Sequence, residues 1–82
     1  MGFRMKMKWA EADYWTERFD NRTDGFEGFR LHRNIFGKVS IAAEVIYWDA
    51  TGGFTVKTID GDVPVEMIQA AIEEATREIK TR

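Results

Sequence analysis

His32 and Ser40 are the first residues to weigh for chemistry, because a serine hydroxyl beside an imidazole is the simplest activated nucleophile that a chain without cysteine can build. His32 is the only histidine, no acid is placed by spacing to orient its ring, and no run of backbone donors marks an oxyanion hole. Metal chemistry has equally little to work with. Asp20, Arg22, Asp24 and Gly25 imitate a calcium loop, but arginine occupies the third ligand position and Leu31 stands where a bidentate acid is needed. One histidine and no cysteine leave no zinc set. The glycines are dispersed, so no phosphate-cradling loop forms, and Glu73 and Glu74 read as a solvated helix face. The expectation is a non-enzymatic protein with no cofactor and no metal.

Charge offers a second kind of chemistry. The 12 Lys and Arg against 14 Asp and Glu give a net charge of −2, which disfavours a general polyanion binder. The basic residues are nevertheless concentrated at the front of the chain. Arg4, Lys6 and Lys8 alternate with Phe3, Met5, Met7 and Trp9, the pattern of an edge strand with one polar face. Joined by Arg30 and His32, with Trp48 as a stacking platform, they would form a small nucleic-acid-binding face. That is the alternative functional reading, and the small size of the basic group makes nucleic acid the less favoured partner.

The elements that must position these residues are those of one domain spanning 1–82, an α+β fold with a three- to four-stranded antiparallel meander and a C-terminal amphipathic helix on one face. A chain of 82 residues buries only about 60% of the surface its unfolded form exposes, so its core is thin. From Val65, the apolar positions Val65, Ile68, Ile72, Ala75 and Ile79 are spaced as one helical stripe, preceded by Asp62 and Pro64 as a helix start. Asp49-Ala50-Thr51-Gly52 reads as a hairpin loop that sets Trp48 opposite Gly53, Tyr47 opposite Phe54 and Glu44 opposite Lys57. Ile35-Phe36-Gly37 reads as a three-residue loop that sets Leu31 opposite Ile41, Phe29 opposite Ala43 and His32 opposite Ser40. Phe29, Leu31, Val39, Ile41, Ala43, Val45, Tyr47, Phe54 and Val56 then face the helix. Residues 10–28 have no clear period: Ala12, Trp15 and Phe19 would line a short helix over 11–19, or the segment extends the first strand.

If residues 11–19 are helical, the order helix, three-stranded meander, helix resembles that of double-stranded RNA-binding domains. Those domains hold phosphates with a lysine-rich start to the last helix, where this chain has Asp60-Gly61-Asp62-Val63-Pro64-Val65-Glu66. The hairpin ending Gly52-Gly53-Phe54-Thr55-Val56, followed by an acidic helix, resembles the small antitoxins of the HicB type. Those carry a further strand before the helix, and no functional residue is carried over from either family. What remains is apolar: Ile46, Trp48 and Ile59 are expected on the face opposite the helix, where exposed tryptophan and isoleucine mark an interface unless residues 10–28, with Tyr14, Trp15, Phe19 and Phe26, fold over that face and make it internal. The favoured reading is therefore a small protein-interaction domain of the inhibitor, immunity, antitoxin or accessory-subunit kind. It is expected to pair with a protein partner or itself, as a homodimer, through the open sheet face or an edge. No apolar run approaches the roughly 18 residues of a membrane span and Met1 to Lys8 has no signal-peptide pattern, so a cytoplasmic protein without membrane contact is expected.

Overall fold

The computed structural model describes residues 3–79, with side chains described from residue 6 onward. Five strands, β1 (Phe3–Trp9), β2 (Ala12–Asn21), β3 (Phe26–Ile35), β4 (Lys38–Trp48) and β5 (Gly53–Thr58), form one antiparallel sheet in chain order. The helix α1 (Val65–Glu78) packs across one face, giving the expected α+β class with five strands in place of three or four. Among the described residues no helix is long and apolar enough to cross a membrane.

The fifth strand comes from the segment whose period was ambiguous. Residues 11–19 are not helical; β2 runs through them, with Ala12, Tyr14 and Thr16 buried under α1 and Trp15, Glu17 and Phe19 on the other side. The alternation is masked because both sides carry aromatic residues and the buried side carries a hydroxyl. Thr16 is fully buried and its Oγ1 donates to Glu74 Oε1 at 2.5 Å. This pair also corrects the reading of Glu74 as a solvated residue, for it is buried beneath α1 beside Ala71 and Ala75. The buried stripe of the helix is accordingly Met67, Ala71, Glu74 and Ala75, continued by Ile79, and Val65 is exposed. Of the stripe read from the sequence, Ala75 and Ile79 are buried and Ile68 and Ile72 pack half-buried against the core, so only Val65 falls outside it; the alanines at the contact let the helix backbone approach the sheet closely.

The hairpin between β4 and β5 has the expected register, with Trp48 opposite Gly53, Tyr47 opposite Phe54 and Glu44 opposite Lys57. The hairpin between β3 and β4 does not. Its loop has two residues, Phe36 and Gly37, between the paired Ile35 and Lys38, and both loop residues have positive φ, +50° and +87°, as a tight primed turn requires. A bulge then falls at Ala42, so that Leu31 pairs with Ala43, Phe29 with Val45 and His32 with Ile41. Beyond the bulge the facing is reversed from the expectation: Ser40 turns to the helix side and Val39 and Ile41 to the open side. The bulge is used, because the Ala42 carbonyl accepts the amides of Ile59 and Asp60 at 2.8 and 3.4 Å and so draws in the turn that leads to α1.

Arg33 holds the same turn from below. It is buried on the helix side, donates to the carbonyls of Asp60 and Asp62 and to the Tyr14 hydroxyl, and lies 3.5 Å from an Asp60 carboxylate oxygen. The Asp60 carboxyl is held below the usual carboxylate range by the Ser40 hydroxyl first and by the charges of Arg33 and Lys38. Its stabilising contribution is thus complete at neutral pH and is lost as pH falls through that lowered value.

This packing makes three substitutions informative about stability. An added Cβ at Gly28 would lie 2.1 Å from the Val45 carbonyl oxygen, so Gly28→Ala should lower the unfolding free energy by about 2–3 kcal/mol in urea titration. Gly53→Ala, whose nearest neighbour would be Thr51 Oγ1 at 3.6 Å, should change it by no more than about 0.5 kcal/mol. Thr16→Val should cost about 2 kcal/mol by removing a donor from a buried carboxylate, and pairing it with Glu74→Leu should recover most of that loss.

Candidate functional site

With α1 on one face, the opposite face of the sheet has no covering layer among the described residues. The strand registers arrange it in rows that run across the sheet. Glu17, Arg30, Glu44 and Lys57 are successive cross-strand neighbours from β2 to β5 and make a row of alternating charge. The next row is Phe19, Gly28, Ile46 and Thr55, and the one after it Asn21, Phe26, Trp48 and Gly53. On the other side of the charged row lie Trp15, His32 and Ile41, with Lys6 of β1 beside Trp15.

These side chains contact one another across the strands. Arg30 Nε donates to Glu44 Oε2 at 2.8 Å, while its guanidinium carbon stands 4.3 Å from the centre of the Phe19 ring. His32 Nε2 lies 3.0 Å from Glu17 Oε1 and its ring stacks on Trp15, centroids 5.5 Å apart and nearly parallel. Phe26 sits between Phe19, at 6.0 Å in an edge contact, and Trp48, at 5.0 Å. The Trp48 indole N–H donates to Thr55 Oγ1 at 2.8 Å. Gly28 lets β3 approach β4 closely within this face, since any side chain there would meet the β4 backbone at Val45 and Ile46. The face is a half-buried mosaic of aromatic rings and ion pairs with its polar atoms largely engaged.

The residues singled out from the sequence are distributed unevenly over it. Ile46 and Trp48 do share the open face, but Ile46 is buried by its neighbours and only 7% exposed. Ile59 is 46% exposed and follows the far end of β5, six residues and about 20 Å of extended chain from the Gly53 that faces Trp48, so the three do not form one patch. Lys6 and Lys8 of the basic group reach the open face through their pairing with Trp15 and Asp13, whereas Arg4 stands in β1 with its side chain outside the described residues. β2 separates these lysines from Arg30 and His32, each of which already faces a carboxylate. The hypothetical serine and histidine pair is not formed, because Ser40 pairs with Arg33 and turns to the helix side while His32 is on the open side.

Sequence reasoning offers Trp15, Phe19 and Phe26 as a cover over this face and misses that β2 and β3 make them members of it, with Tyr14 on the helix side. The signal that finds them is the strict two-residue spacing of Trp15, Glu17 and Phe19, which becomes readable once the segment is taken as a strand. It also missed the end of the molecule where Trp9, Ile35, Phe36 and Val39 are exposed at 44, 40, 83 and 56%. Among the described residues no group of three His, Cys, Asp or Glu side chains is placed to hold a metal ion. Compared with known proteins, the chain matches no protein-family model, no curated protein and no solved structure.

Proposed function

We propose that this chain is a small non-enzymatic protein-interaction domain that self-associates through its open sheet face. The observation that supports the reading is the charged row Glu17, Arg30, Glu44 and Lys57. A row of four alternating charges is complementary to its own reverse. If a second copy lies face to face across a twofold axis parallel to the strands, Glu17 meets Lys57 and Arg30 meets Glu44 at every crossing. The same operation sets Phe26 over Trp48 and Ile46 over the side-chain-free Gly28, so apolar groups meet apolar groups. Two aligned sheets pack about 10 Å apart with a relative rotation near −30°, which their twist supplies. Ion pairs already made within each copy would become shared networks, a design suited to reversible association.

The groove beside β1 favours a second reading. Lys6, Lys8, Asp13, Trp15 and Asn34 line a hollow of about 620 Å³ on the open face, in which two lysines flank a half-buried indole. Single-stranded nucleic acid is held by that combination of a stacking ring and phosphate-directed cations. Lys8 is partly committed to Asp13 at 3.4 Å, and the acidic chain as a whole opposes a polyanion, so protein self-association is the better-supported function.

The two readings separate experimentally. Lys57→Glu should weaken self-association by at least about tenfold in sedimentation equilibrium, and adding Glu17→Lys should restore it, because the reversed row is again its own complement. A wild-type chain that is monomeric throughout the concentration series, or a double variant no better than the single one, sinks the sheet-face reading. Retention of single-stranded oligonucleotide at low salt, abolished in a Lys6→Ala, Lys8→Ala variant, would instead establish the nucleic-acid reading.

A further inference from the structure

The turn between β3 and β4 spends a poor backbone position on a large apolar side chain. Phe36 has φ of +50°, a left-handed conformation in which asparagine or glycine is favoured and an aromatic residue is strained. The fold gains nothing from the ring, which is 83% exposed. The turn is nonetheless firmly built, because the Asn34 side-chain oxygen accepts the Gly37 amide at 2.8 Å. A rigid loop that presents a strained, exposed phenylalanine has the form of an anchor residue.

A receptacle of matching chemistry lies at the same end of the molecule. Trp9, Ile35, Val63 and Pro64 wall a hollow of about 410 Å³, with Glu11 and Asp62 also lining it. Arg33 and Tyr14, both buried, contribute to the floor of the same hollow. Charge is complementary too: exposed Lys38 follows the projecting Phe36, and the hollow carries the acids Glu11 and Asp62 against the single buried Arg33. Phe36 does not fill the hollow of its own chain, as its exposure shows.

We infer that the occupant is a second copy of this chain, the Phe36 of each molecule entering the hollow of the other. Projection and receptacle lie side by side at one end, so a twofold axis between them closes the contact in a pair. Reciprocal insertion of two aromatic rings removes on the order of 800 Å² of surface in total, the size of a weak and reversible interface. This contact uses none of the residues of the charged sheet row and stands independently of it. Two different twofold contacts on one chain build assemblies larger than a dimer.

The test is the oligomeric state of full-length chains by sedimentation, together with thermal unfolding. Phe36→Asn replaces a strained residue by one suited to the left-handed turn, so the variant should be at least as resistant to heat as the wild type while its assembly is reduced by one contact. In the Lys57→Glu background, where the sheet contact is weakened, the remaining dimer should dissociate to monomer on adding Phe36→Asn. Lys38→Glu should weaken the same contact and Glu11→Lys combined with it should restore it. If Phe36→Asn leaves the assembly of both backgrounds unchanged, the end-to-end contact is overturned. Loss of assembly in Lys57→Glu alone, with Phe36→Asn silent, would leave only the sheet-face reading standing.

Discussion

Arg33 clamps the turn between sheet and helix, and the rest of the architecture depends on where that turn is held. Its guanidinium reaches from central strand β3 to the carbonyls of Asp60 and Asp62, while the bulged Ala42 carbonyl receives the amides of Ile59 and Asp60 from β4. A backbone turn pinned from two strands starts α1 at one place over the sheet. From there the helix reaches Thr16 with Glu74 and lays Ala71 and Ala75 against the β3 and β4 side chains. A charged residue in a thin core is costly unless its donors are used, and a loop whose carbonyls lack helical or sheet partners is costly for the same reason. Joining the two lowers both costs through the terminal nitrogens of the guanidinium, while the buried Arg33 Nε has no hydrogen-bond partner among the described residues. It also decides which sheet face is closed and which is left open.

How far this was legible in the sequence depended on whether the needed interaction was local. The β4–β5 register could be read because one four-residue loop and the opposed Glu44 and Lys57 specify it within a few residues. The β3–β4 register could not, since the Ala42 bulge serves amides at Ile59 and Asp60, on a segment formed much later in the chain. β2 was hidden for a different reason. Its buried side carries Thr16, acceptable only because Glu74 waits 58 residues away, and its open side carries Trp15 and Phe19. A strand apolar on both faces and polar within the core has no period of two to detect. The helix was found with most of its packed stripe, Ile68, Ile72, Ala75 and Ile79, but its most buried line also takes in Met67, Ala71 and Glu74, two of which hydropathy ranks below the exposed Val65.

The candidate site was legible to the extent that strand alternation on β3, β5 and the part of β4 after the bulge fixes which face a side chain takes. Trp48, Glu44, Arg30 and Lys57 fall where the sequence placed them, and Ile46 shares their face. What the pattern did not convey is that Ile46 is covered and that the ion pairs and rings contact one another, because such lateral contacts run across strands distant in sequence. Exposure was misjudged at the hairpin end for a related reason. A phenylalanine beside a glycine in a loop reads as a turn residue, and only its left-handed backbone and bare ring show that the turn would be better served by another side chain.

The character of the open face follows from what a small protein can leave uncovered. Among the described residues no second layer of helices covers this face, so it must be compatible with water and still resist aggregation. Half-burying each ring against a guanidinium, an imidazole or another ring lowers its apolar exposure, and engaging each charge with its neighbour lowers the desolvation needed when a partner arrives. Such a surface gains less on association than an oily one, because much of its apolar area is already removed from water. It loses less on separation for the same reason. A mosaic of this kind therefore favours contacts that form and dissolve at ordinary concentrations over a permanent, core-like interface.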